Sequence, residues 1–407
     1  MKENYRWTIC GLLFFAMTIN FIDRQVLSIL APHLQSVFNW SEAEYGYIVT
    51  AFQVAYALGL LFAGMFIDRF GVRIGYSVAM AVWSLSAAGH ALASAVMSFA
   101  SARFCLALGE SANFPAAVKT VAEWFPKKER ALATGVFNAG STVGVIISPI
   151  LIPWLAVSFG WQSAFVFAGA LGFVWLFFWL LLYRTPEKRD LEKDVRSEDK
   201  PSWKQLLRDR RTFGICIGRF VTDPIWWFFL FWLPKYLHEQ FGLDLQSFGI
   251  PLIIIYLMSS LGGIGGGWLS SFFIRRGKSI DFARKTTILI AALMVVPVIT
   301  LAWLPSLVGA ILFIGLATAG HQAWGANIYT VVSDVYPKSA VGSVVGLTSF
   351  AGAVGGVLFS PLVGWILQLT GSYIIIFVIA SVAYLAAWLA LKIFTPISSS
   401  KLDKNEI

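Results

Sequence analysis

About twelve stretches of this chain are apolar over the roughly 20 residues that a helix needs to cross a bilayer core. They fall at 7–30, 46–67, 75–94, 98–121, 130–154, 162–183, 211–234, 248–272, 285–303, 306–332, 341–366 and 372–394. The runs are continuous rather than alternating, which excludes barrel strands. The first is too long for a removable signal peptide, and it has no small-residue cleavage site. Composition agrees: 57% of residues are hydrophobic and 13% charged, about half the charged share of a soluble domain. The expected fold class is an all-α membrane protein of 12 transmembrane helices in two six-helix bundles.

The net charge of +9 would suggest nucleic acid if the chain were soluble. The positions of the basic residues argue otherwise. With twelve spans, 27 of the 31 Lys and Arg residues fall on the side that carries both termini. Lys235 alone falls on the opposite side. Basic residues are retained in the cytoplasm during insertion, so both termini are expected there. The charge then sets topology, and no nucleic-acid partner is expected. The longest polar stretch divides the spans six and six. The expected organisation is a bundle at 1–183, a cytoplasmic linker at 184–210, a second bundle at 211–395 and a cytoplasmic tail at 396–407.

The two halves also repeat. Span 5 carries Gly140-x3-Gly144-x3-Ser148-Pro149, and span 11 carries Gly352-x3-Gly356-x3-Ser360-Pro361, offset by 212 residues. Small residues at every fourth position let helix backbones approach closely. Parallel repeats joined by a long loop are a transporter layout.

Between spans 2 and 3 the chain reads Gly64-Met-Phe-Ile-Asp68-Arg69-Phe-Gly71-Val-Arg73. Asp68 can pair with a basic residue or cap a helix, and Gly71 permits a tight turn. The segment resembles the loop motif G-x-x-x-D-R-x-G-x-R of the major facilitator superfamily. The second-half counterpart, near Gly267 to Lys278, keeps the basic residues but lacks the acid. Three further features narrow the resemblance: Asn20-Phe-Ile-Asp23-Arg24, Gly109-Glu110-Ser-Ala-Asn113-Phe-Pro115, and Ser333-Asp334 closing span 10. Together they resemble the anion:cation symporter family, particularly its bacterial hexuronate and galactonate transporters. The resemblance implies proton-coupled uptake of an organic carboxylate by alternating access.

Charges inside a span are costly and mark function. Arg24 offers a planar, permanently charged match to a carboxylate. Asp23 and Glu110 are carboxyls that can hold a proton when buried alone and release it as a cation approaches. Arg24 is therefore the expected substrate-binding group, and Asp23 and Glu110 the expected proton carriers. The resemblance gives matching positions the same roles. The competing reading is a permanent structural Asp–Arg pair with Glu110 joining helices. Arg219 lies four residues before Asp223, on the same helix face. It is either an intrahelical salt bridge or a second cation for substrate. Pro224, next to Asp223, suggests a broken helix. Arg103, nearer the outer end of span 4, is left unassigned between snorkelling and holding a gate.

Tyr56, Tyr329 and Ser349 match family positions that face substrate, as does Ser141, which serves equally as a packing residue. Gln322 and Asn327 are candidates for their polarity in an apolar span. Two residues depart from the family pattern, Phe21 and Arg219. His321 occupies the repeat position of Glu110 and is either a titrating group or a satisfied buried histidine. The three cysteines have neither metal nor redox spacing. No P-loop or nucleophile–base pattern appears, so the chain is not expected to be an enzyme or to take a cofactor or metal. The expected partners are a small organic anion, a proton and membrane lipid, with the chain a monomer. An aldonate carrier and a drug or sugar exporter of the same fold are the alternatives.

Overall fold

The computed structural model describes residues 5–185, 203–303, 306–336 and 338–396, and all their regular structure is helical. Most of the expected linker, residues 186–202, and the tail from 397 lie outside the described residues.

The first six expected spans form helices α1 (Tyr5–Phe38), α2 (Glu42–Gly89), α3 (Val96–Glu110), α4 (Asn113–Trp124), α5 (Lys127–Phe159) and α6 (Trp161–Leu182). The short α7 (Trp203–Arg208) follows. Then come α8 (Arg210–Phe241), α9 (Gly249–Arg275), α10 (Ile280–Val295), α11 (Leu307–Val335), α12 (Lys338–Thr370) and α13 (Ile374–Phe394). Among the described residues, ten helical stretches are long and apolar enough to span a membrane.

Two differences reconcile ten with twelve. Spans 2 and 3 run together as α2, which turns at Gly71 with φ 76° and ψ 161°. A positive φ of this size is open to glycine and strained for other residues. Gly277, at φ 75°, makes the matching turn between α9 and α10. Span 4 is split instead, into α3 and α4, with Ser111 and Ala112 between them. Pro115 explains the break, because it has no N–H for the Ser111 carbonyl and its ring crowds that residue.

The chain packs into two compact units. The first holds α1 to α6 with Leu230–Ile253 and Val357–Gly371. The second holds α7, α8 through Phe229, Ile254–Gly356 and α13. In the first unit α5 lies against α1. A Cβ on Gly140 would collide with the Phe14 carbonyl, and one on Gly144 would sit 2.5 Å from the Thr18 carbonyl. In the second unit α12 lies against α8, with Gly352 on Asp223 and Gly355 on the Phe220 carbonyl. Gly352 is the repeat counterpart of Gly140, whereas the backbone contact is made by Gly355, one residue before the counterpart of Gly144.

α8 passes through Pro224 and Pro234 without breaking, contrary to the expectation of a broken helix at Pro224. Each proline deprives the carbonyl four residues earlier of its N–H. Gly355 brings the α12 backbone onto the Phe220 carbonyl, and Ser28 Oγ donates to the Leu230 carbonyl at 2.9 Å. Ser28 thus satisfies the carbonyl freed by Pro234, α12 packs over the one freed by Pro224, and the helix persists. Lys235, on the same helix, is buried and paired with Glu42 at 2.8 Å and Glu239 at 2.5 Å.

In the loop motif, Asp68 takes the first of its two expected roles and pairs with Lys119 at 2.6 Å. Arg73 donates to the Leu180 carbonyl at 3.0 Å. Arg69 lies exposed over the Phe70 ring, and a Cβ on Gly64 would meet open space. The second unit supplies its missing acid from α11, where Asp334 pairs with Arg284 at 2.8 Å.

Gly140→Ala is expected to lower stability by about 1–3 kcal/mol, the usual penalty for overfilling a packed contact. Gly135→Ala, where a Cβ meets nothing within 4 Å, should be neutral or stabilising. Thermal unfolding of the two variants in detergent separates these outcomes.

Candidate functional site

The first unit concentrates its buried charge where α1, α2 and α3 meet. Arg24 lies midway along α1, and its Nε donates to Glu110 Oε2 at 2.7 Å. Glu110 is the last residue of α3, immediately before the break at Ser111. Gly109 permits this position: a Cβ there would sit 2.8 Å from both the Ala79 carbonyl and Trp83. Accessible area is 7% for the Arg24 side chain and nil for Glu110, so water competes little for the pair.

Aromatic rings enclose the guanidinium. Its carbon lies 4.7 Å from the Tyr56 ring centre, 5.2 Å from Phe21 and 5.6 Å from Phe52. Phe21, one of the departures from the family pattern, is therefore part of the Arg24 surroundings. Such contacts favour a cation that has left water. They also leave it a flat face for a carboxylate once Glu110 withdraws.

Asp23 is buried beside Trp83 and within electrostatic range of Glu110, Arg103 and Arg24. Neither of its carboxyl oxygens meets hydrogen-bond geometry with a described residue. The acid paired with Arg24 is thus Glu110, from another helix, rather than the adjacent Asp23.

Arg103 does not snorkel. It is 1% exposed, donates to the Arg24 carbonyl at 3.1 Å and lies 5.5 Å from the Phe52 ring centre. The signal in the sequence is its spacing. Arg103 and Glu110 are seven residues apart, two turns along one helix face. With Arg103 included, the cluster has two guanidinium groups and two carboxyls. Protonating either acid leaves one cation without an internal partner.

The second unit has a centre of its own on α8. Arg219 contacts Asp223 Oδ2 through Nε at 3.0 Å and through a terminal nitrogen at 2.8 Å. Its other terminal nitrogen donates to Ser349 Oγ at 2.7 Å, and its carbon lies 5.1 Å from the Tyr329 ring centre. Arg219, Tyr329 and Ser349 are thereby brought together.

Other candidates face elsewhere. The Asn327 amide nitrogen donates to the Gly266 and Ala323 carbonyls at 3.1 and 2.9 Å, tying α11 to α9. Gln322 is half-buried beside Gly263. Ser141 donates to the Asn138 carbonyl at 2.6 Å on its own helix. His321 is buried, stacked on Trp226 at 4.9 Å and bonded through Nδ1 to the Tyr384 hydroxyl at 2.7 Å.

Residues 13–360 match the sequence pattern of the Major Facilitator Superfamily. Over 385 residues the chain is 31% identical to the hexuronate transporter of Escherichia coli K12, covering 89% of this chain and 88% of that one. It is 31% identical to the galacturonate transporter of Dickeya chrysanthemi, over 72% of this chain and 90% of that one. Its fold matches the crystal structure of a D-xylose-proton symporter with a TM-score of 0.78, over 97% and 98% of the two chains, at 18% identity.

Removing one member of a buried ion pair costs about 3–5 kcal/mol, whereas apolar replacement of both is nearly neutral. Arg24→Met should therefore be clearly less stable than Arg24→Met/Glu110→Met in detergent unfolding. Equal stability of the two would mean that the pair carries no buried charge.

Proposed function

The chain belongs to the Major Facilitator Superfamily, and we propose that it takes up a sugar acid together with protons by alternating access. It is a multi-pass membrane transporter rather than an enzyme. The substrate we favour is a hexuronate such as glucuronate or galacturonate. The observation that carries this reading is the buried Arg24–Glu110 pair, in which the Arg24 guanidinium, midway along α1, lies over the Tyr56 ring. The names of the relatives, hexuronate and galacturonate transporters, support the same chemistry.

The cycle follows from charge balance. In the empty carrier Glu110 holds Arg24. A proton on Glu110 removes the negative charge that Arg24 was matched to. The guanidinium then turns its two parallel N–H groups to the substrate carboxylate. Tyr56 offers the sugar both an aromatic face and a hydroxyl. Asp23 is the second proton carrier, and Arg103 balances whichever carboxyl remains ionised. On the side where protons are scarce Glu110 ionises again, recaptures Arg24 and displaces the substrate. In the second unit Arg219, Tyr329 and Ser349 are the residues we assign to substrate, while Gln322 lies half-buried beside Gly263 of α9. Asn327 works as a tie between helices.

The distribution of basic residues supports placing both termini in the cytoplasm of a bacterial inner membrane. Two six-helix bundles, at 1–183 and 211–395, would then work as a monomer surrounded by lipid. A drug or sugar exporter would have no use for a buried carboxylate clamp. An aldonate carrier would, and direct uptake distinguishes it.

Labelled glucuronate, galacturonate and galactonate should be offered to proteoliposomes under an inward proton gradient. Accumulation of a hexuronate is expected. Glu110→Gln should keep counterflow exchange and lose gradient-driven uptake. Arg24→Gln should lose at least about thirtyfold in both, since truncating one partner of a buried charge pair costs about 2 kcal/mol or more. Accumulation of none of the three acids would overturn the substrate assignment, and uptake indifferent to the gradient would overturn symport.

A further inference from the structure

We propose that the cavity beside the turn at Gly71 binds an anionic phospholipid, with the lipid phosphate on Arg73 and an acyl chain along Ile74 and Val78. The cavity lies wholly within the first unit, and none of the buried charges around Arg24 lines it.

Sequence sets the depth of this place. Spans 2 and 3 meet across residues 68–74, and span 6 ends at Tyr183. Arg69, Arg73 and Arg184 therefore stand where apolar runs give way to polar chain. Lipid headgroups occupy that level, between the hydrocarbon core and water. The structure brings the two segments together. Arg73 donates to the Leu180 carbonyl at 3.0 Å, and the Trp179 indole donates to the Arg73 carbonyl at 3.3 Å. Beside these contacts opens a cavity of about 630 Å³. That volume is in the usual range of small-molecule sites. A Cβ on Gly71 would meet nothing within 4 Å, so the turn itself leaves the space open.

The cavity has walls of two kinds. Arg73 and Ser77, one turn apart on α2, supply polar groups. Ile74 and Val78, also one turn apart, are 59% and 44% exposed, and Leu180 across from them is 46% exposed. A sugar acid or a free inorganic anion has no use for the apolar wall, whereas a phospholipid uses both. Charge selects an anionic headgroup. The acid lining the cavity, Glu123, accepts the Tyr183 hydroxyl at 2.9 Å, and Asp68 is paired with Lys119. Among the described residues, no acid pairs with Arg69, Arg73 or Arg184. Arg73 spends one terminal nitrogen on the Leu180 carbonyl, and the described residues offer its other N–H groups no acceptor. A guanidinium in that condition suits a phosphate, to which it can present two parallel N–H groups. Basic pockets between helices at the membrane surface recognise lipid headgroups by the same chemistry.

Native mass spectrometry of the full chain in detergent tests the site, with phosphatidylglycerol and phosphatidylethanolamine of identical acyl chains as probes. Phosphatidylglycerol should bind at least about tenfold more tightly, since each arginine near the membrane surface contributes about fivefold. Arg73→Gln should weaken phosphatidylglycerol binding by about fivefold. Arg276→Gln removes an exposed arginine that lies over the Phe272 ring in the second unit, and it should leave binding unchanged. Excess inorganic phosphate should not displace the lipid. Equal binding of the two lipids by the unaltered chain, as when Glu123 holds the ethanolamine ammonium, would overturn the proposal without any variant. An Arg73→Gln loss no greater than that of Arg276→Gln would also overturn it, because general surface charge would then gather the lipid. Displacement by inorganic phosphate would overturn the lipid assignment in favour of a free anion.

Discussion

A guanidinium and a carboxyl 2.7 Å apart, with almost no water between them and the interior, set the terms for the rest of the first unit. Neither charge can stay there alone, because transfer of an unpaired ion to a low-dielectric interior is far costlier than any single contact recovers. The surroundings follow from that constraint. α3 ends at Glu110 so that its carboxyl can face α1. Aromatic rings rather than aliphatic chains line the cation. Arg103 is buried nearby, where it balances the second acid. A pair tolerated only while matched is also one that a single proton can unmake. For that reason we read the same contact as structural support and as the coupling element.

The second unit repeats this chemistry with different parts. Arg219 and Asp223 come from one helix, whereas Arg24 and Glu110 come from two. The tyrosine ring recurs in both. Close helix contact recurs as well, with Gly140 and Gly144 on α1 carbonyls, Gly355 on the Phe220 carbonyl and Gly352 on the Asp223 side chain. The loop ion pair recurs in exchanged form: Asp68 with Lys119 in the first unit, Arg284 with Asp334 in the second. Repetition thus preserves the kind of interaction at each place and lets the residues that make it change.

Much of the fold was legible in the sequence because bilayer thickness imposes a length on every span. Sequence also singled out Arg24, Asp23 and Glu110, since a charge in an apolar run has few bland explanations. Other features depend on what lies across a contact. Apolar runs are blind to hydrogen bonding, so the α3–α4 break was not visible in them, whereas the turn at Gly71 was legible from the glycine itself. Pro224 suggested a broken helix, yet the backbone of α12 closes over the carbonyl it frees. Arg103 looked peripheral by its position along the span, but direction around the helix decides burial, and that put it beside Glu110. Asn327 looked like a polar lure for substrate, and its amide is taken by two carbonyls of the helix packing.

Two ion pairs of nearly equal length, Asp68–Lys119 at 2.6 Å and Arg24–Glu110 at 2.7 Å, sit in opposite surroundings. The Asp68 side chain is 73% exposed, so mobile ions screen it over a Debye length of about 8 Å at physiological salt. No such atmosphere reaches Glu110. The molecule therefore has a rim that responds to ionic strength and an interior that does not.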